Sequence, residues 1–114
     1  MTQLGARGVS IAILFLAAVL EAGGDAMVRK ALHSNAPWSR VGLFGISAVV
    51  LFAYGYTVNA PAWDFGKLLG LYVVFFFLVA QLMSWLVFRQ PPTFAVMIGG
   101  GLITTGGLVI AMAV

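Results

Sequence analysis

Apolar and polar residues do not alternate along this chain; apolar residues come in four long runs separated by short polar breaks. A half-buried strand or an amphipathic soluble helix would show a period near 2 or 3.6, and neither dominates here. A hydrocarbon layer about 30 Å thick is crossed by roughly 20 apolar residues of helix rising 1.5 Å each, and each run can supply them. The pattern predicts helices over about 8–32, 39–56, 65–88 and 93–113. The breaks hold Asn35-Ala36-Pro37-Trp38, Asn59-Ala60-Pro61 and Pro91-Pro92. Proline fits there because it lacks a donor N–H and disfavours helix at the residue before it. The loops are short and leave no room between the helices for a soluble domain, so the expectation is that residues 1–114 form one four-helix transmembrane domain.

Composition strengthens that reading. Of 114 residues, 62% are hydrophobic and 8% charged, with a mean hydropathy of +1.08. Six Lys/Arg and three Asp/Glu cannot build the charged shell a soluble domain needs, so the solvent for most of the surface is lipid. The expected class is an all-α, multi-pass protein of the cell's inner (plasma) membrane. The first apolar run has no convincing small-x-small cleavage site, and the downstream chain is equally apolar, so it reads as a retained helix. The sequence pI near 9.8 rests on a net charge of only +3, with the cations scattered at helix ends. That is a topology signal and not a nucleic-acid patch. Arg7 and Lys67 fall on one side, Arg29, Lys30, Arg40 and Arg89 on the other, which leans towards both termini outside the cytoplasm. The margin of two is small enough for insertion in both directions and large enough for a single fixed orientation.

Chemistry is constrained as tightly. The absence of cysteine excludes disulfides, thiolate metal sites and Cys nucleophiles, and a single histidine, His33, rules out multi-His metal ligation. No metal, no cofactor and no enzymatic activity are expected, since no nucleophile–base pair is present.

Glu21 is the residue that demands a reason. An acid at a helix centre costs about 2.5–3.5 kcal/mol on insertion scales. Asp25, Arg29 and His33 succeed it at four-residue steps, making a polar stripe from mid-membrane to the interface. Asp25 either pairs with Arg29 near the headgroups or belongs to the site, while Arg29 and His33 fit a solvated helix end. Glu21 has only Ala17 and Asp25 one turn away, so it is the candidate proton- or cation-binding group. Around it Ala17, Ala18, Ala22, Gly23 and Gly24 make a narrow face that lets a helix or a ligand come close.

The third helix carries Tyr72, Phe75, Phe76, Phe77, Trp85 and Phe88. The three consecutive phenylalanines point to different sides of a helix, so most are expected to face lipid. Tyr72 has a hydroxyl that needs a partner if buried, which makes it the candidate to meet Glu21. Trp85 suits either an interfacial anchor or the same site; Gln81 and Ser84 are modest interhelical hydrogen-bonding candidates. In the fourth helix, Gly99 with Gly106 and Gly100 with Gly107 are seven apart, and Gly100–Thr104 and Gly101–Thr105 are small-xxx-small pairs. Such a surface favours tight helix contact and suggests a subunit interface.

Four helices in a chain of this length, Glu21 in the first, Gly24 and Arg29 after it, Ser84-Trp85 beyond Gly66, and Gly99 and Gly106 in the fourth resemble the small multidrug resistance family of the drug/metabolite transporter superfamily. The resemblance covers nearly the whole chain. It implies a dimer, joined through Gly99 and Gly106, in which Glu21 binds a proton or a cationic substrate in turn. The third helix departs from that pattern. Leu69 and Tyr72 stand where the family usually has Tyr and Trp, and Val74 and Phe76 replace two glycines. With Tyr72 there, this helix is more similar to the YnfA-like branch.

The expectation is thus a proton-coupled exporter of small or lipophilic cations, with Glu21, Asp25, Tyr72 and Trp85 at the proton/substrate site. Its partner would be a second copy, antiparallel or not, or a related small membrane protein, within the lipid bilayer and without nucleic acid. The alternatives are a non-transporting accessory or scaffold subunit of a larger membrane complex, and a component of a lipid-linked-carrier flippase.

Overall fold

The computed structural model describes residues 2–113 and is all-helical, with no strand among them. Helix α1 spans Thr2–Leu32, α2 Pro37–Val58, α3 Phe65–Phe88 and α4 Phe94–Ala111. All four are long and apolar enough to cross a membrane, α1 through its segment Arg7–Leu32. This is the architecture of a multi-pass membrane protein.

Helix α3 keeps the bounds of the hydropathy reading, whereas α2 runs two residues further, to Val58, and α4 spans Phe94–Ala111 instead of 93–113. The starts of α1 and α2 are earlier for a common reason. Hydropathy marks where the apolar run stops, whereas the backbone stops where hydrogen bonding or proline stops it. No proline precedes the first apolar run, and α1 accordingly starts six residues before position 8. Helix α2 starts at Pro37 instead of Ser39, because proline's missing N–H is an orphan donor anyway in the first helical turn. At its far end the Asn59 amide Nδ2 donates to the Gly55 carbonyl at 2.8 Å. Helix α4 is started by Thr93, whose hydroxyl accepts from the Val96 N–H at 3.3 Å. Helix α3 ends on Arg89 in the left-handed region, φ 55°, with the Gln90 N–H donating to the Ser84 carbonyl at 2.9 Å.

Packing runs in the order α2, α1, α3, α4, as a slab of 51 × 33 × 21 Å. The interior is made by Leu14, Ala17, Ala18 and Ala22 of α1, which recur at helical period, against Leu68, Leu71, Tyr72 and Val79 of α3. Small residues on α1 bring its neighbours close: a methyl group added at Gly24 would lie 2.5 Å from a Leu51 methyl of α2. Helix α3 has a second buried face towards α4. Phe75 and Phe76 pack against the core, and the Phe77 ring fills the space above Gly100. The expectation that most of these phenylalanines face lipid is therefore corrected: a helix with neighbours on two sides partly buries side chains that a single-faced helix would leave outside.

The five glycines of α4 also divide. Gly100 and Gly107 are buried under Phe77 and Val74 of α3, so this pair packs helices within the chain. A Cβ at Gly99, Gly101 or Gly106 would meet open space.

Candidate functional site

Three helices converge on one carboxylate. Glu21 projects from the small-residue face of α1, half-buried between Ala17, Ala18 and Ala22, which are themselves buried. From α3, the buried Tyr72 donates its hydroxyl to Glu21 Oε1 at 2.7 Å, an ordinary length for an O–H···O hydrogen bond. From α2, the Tyr54 ring packs on Tyr72 with centroids 5.7 Å apart and planes tilted by 35°. On its other side Tyr72 meets Phe76 at 6.2 Å, tilted by 32°. Aromatic neighbours at these separations fix the ring plane of Tyr72 and hence the direction of its O–H. The second oxygen of Glu21, Oε2, accepts no hydrogen bond, and Glu21 forms no ion pair, among the described residues.

A carboxylate held this way has one lone-pair side occupied by a neutral donor and the other open. It can take up a proton or accept a cation without first breaking a salt bridge.

The remaining candidates are placed differently. Asp25 is exposed and lines a hollow between α1 and α3 together with Arg29. The two do not form an ion pair; the Arg29 guanidinium lies over the Phe88 ring, 5.4 Å from its centroid. His33 is exposed, with Nδ1 2.8 Å from the Arg29 carbonyl oxygen. Trp85 is exposed on the outer side of α3 and is not brought to Glu21. Ser84 is spent locally, donating its hydroxyl to the Gln90 carbonyl at 3.0 Å. Gly99 and Gly106 lie on the open side of α4.

A scan against protein-family models finds no match for this chain, and searches of curated proteins and of solved structures find none either. The site therefore has to be read from its own geometry.

Sequence reasoning had missed Tyr54. Helix α2 is apolar all round and carries Phe44, Phe52, Tyr54 and Tyr56, so nothing in its pattern marks the face that turns inward. The one signal, a hydroxyl in an apolar span, belongs to Tyr54 and Tyr56 alike, and only the structure separates them: Tyr56 is exposed and Tyr54 is half-buried against Tyr72.

Proposed function

We propose that this chain is a proton-coupled exporter of small or lipophilic cations, working as a dimer in the cell's inner (plasma) membrane. The observation that carries the reading is the Tyr72–Glu21 hydrogen bond, 2.7 Å, inside a bundle of apolar helices. Burying an acid among such helices costs free energy that a purely structural contact does not require, and intramembrane acids usually mark ion or substrate paths. Occupancy of Glu21 by a proton or by a cation would be mutually exclusive. If the site opens alternately to each side, that competition couples proton entry to cation exit. One chain encloses little volume, and a second copy set against the open Gly99/Gly106 side of α4 would complete the cavity wall. The resemblance to small multidrug resistance proteins supports the same reading. In liposomes, addition of a lipophilic cation should release protons from the wild-type chain, and Glu21→Gln should abolish the release.

A second reading, a non-transporting accessory subunit of a larger complex, is favoured by one specific feature. Phe77 and Val74 of α3 lock into Gly100 and Gly107 of α4, where an exporter of this kind would be expected to need a flexible third helix. Mild-detergent purification separates the two: a stoichiometric larger partner supports the subunit, and a lone pair of copies supports the exporter.

A further inference from the structure

One turn beyond Glu21, between α1 and α3, lies a chamber of about 300 Å³, a hollow open to the surface. Asp25 and Arg29 form its charged wall, and Phe76, Met83 and Phe88 form its apolar one. Residues four apart on a helix have Cα atoms separated by about 6 Å, close enough for their side chains to pair. These two do not pair. Stacking on Phe88 draws the guanidinium aside and orients its planar fork of donors, and neither Asp25 nor Arg29 makes a side-chain hydrogen bond among the described residues. An acid and a base thus open on one hollow, both exposed and neither paired with the other.

That arrangement selects by charge. A simple cation drawn to Asp25 also meets Arg29, with Lys30 and His33 around the adjoining hollow. A simple anion drawn to Arg29 meets Asp25. A molecule carrying both charges close together satisfies both groups through charge-assisted bonds of about 2.8 Å. The chamber is at the small end of ligand cavities, which run from roughly 300 to 1,000 Å³, so it suits a compact molecule with one apolar group.

We propose that this chamber binds a zwitterionic α-amino acid with an apolar side chain. The ammonium sits on Asp25, the carboxylate on Arg29 and the side chain against Phe76 and Met83. Binding at Asp25 and Arg29 is independent of the exporter reading, because it does not involve Glu21.

The test is equilibrium binding of labelled phenylalanine to the purified full chain in detergent, with phenethylamine and 3-phenylpropionate as analogues that keep one charge each. Phenylalanine should bind saturably and about tenfold or more tighter than either analogue, the usual scale for losing a charged hydrogen-bond partner. Asp25→Asn and Arg29→Gln should each weaken it about as much, and Ala80→Phe, which fills the chamber without changing its charge, should abolish it. Glu21→Gln should leave it intact. Should the variants misfold, the analogue comparison on the unaltered chain decides alone. Absence of saturable binding, phenethylamine binding as tightly as phenylalanine, or loss of binding in Glu21→Gln but not in Asp25→Asn would each overturn the proposal.

Discussion

Adjacent glycines in α4 should respond in opposite ways to the same added methyl group. A Cβ at Gly107 runs into the Val74 side chain, whereas a Cβ at Gly106 meets nothing. Val74 is β-branched and stiff about χ1, so it cannot swing clear, and α4 must back away from α3. Overpacking of this kind costs about 1–3 kcal/mol, while glycine to alanine in a helix returns at most about 1 kcal/mol of propensity. Gly107→Ala should therefore lose up to about 2 kcal/mol net, and Gly106→Ala should be neutral or gain up to about 1 kcal/mol. Gly100→Ala should fall between them, because its obstacle is the edge of the Phe77 ring, which can tilt away. The assay is helicity during titration from mild detergent into dodecyl sulfate, with enough detergent to keep the chain monomeric. Equal effects at Gly106 and Gly107, or a stabilised Gly107→Ala, would refute the division of the glycines between an inner and an outer face.

Other consequences concern single residues. Arg89 adopts φ 55° without being glycine, so Arg89→Gly should stabilise the α3 terminus by about 1 kcal/mol in the same titration; a loss would mean that the arginine side chain matters more than its backbone strain. Tyr72→Phe removes the one hydrogen bond to Glu21 but keeps the aromatic stack, so it should cost about 0.6 kcal/mol of stability, the average for interhelical hydrogen bonds, and at most about 1.7 kcal/mol. The same variant should slow proton release without abolishing it; unchanged kinetics would reduce Tyr72 to packing.

How much of the molecule was legible in the sequence depends on what solvent each residue faces. The four spans are legible because lipid demands uninterrupted apolar length and the prolines punctuate it. Glu21 and Tyr72 are legible because a carboxyl and a phenol in an apolar helix each need a polar partner, and they are 2.7 Å apart in the structure. The faces of the helices are another matter. In water, a buried stripe contrasts with a polar one; in a span that is apolar all round, the inward and outward sides carry the same residue types. That is why Tyr54 was missed, why most of Phe75, Phe76 and Phe77 were expected outside, and why Gly99 and Gly100 could not be told apart. The Asp25–Arg29 spacing permits an ion pair, and only the position of Phe88, 59 residues along the chain from Arg29, explains why the guanidinium lies elsewhere.

Exchange of a proton for a cation at Glu21 is the central claim, and the direct measurement is pH change in lightly buffered proteoliposomes on addition of a lipophilic cation such as tetraphenylphosphonium. Wild-type chain should release protons in proportion to cation bound, and Glu21→Gln should release none. Equal release from both, or cation binding by wild type with no proton released, would contradict it.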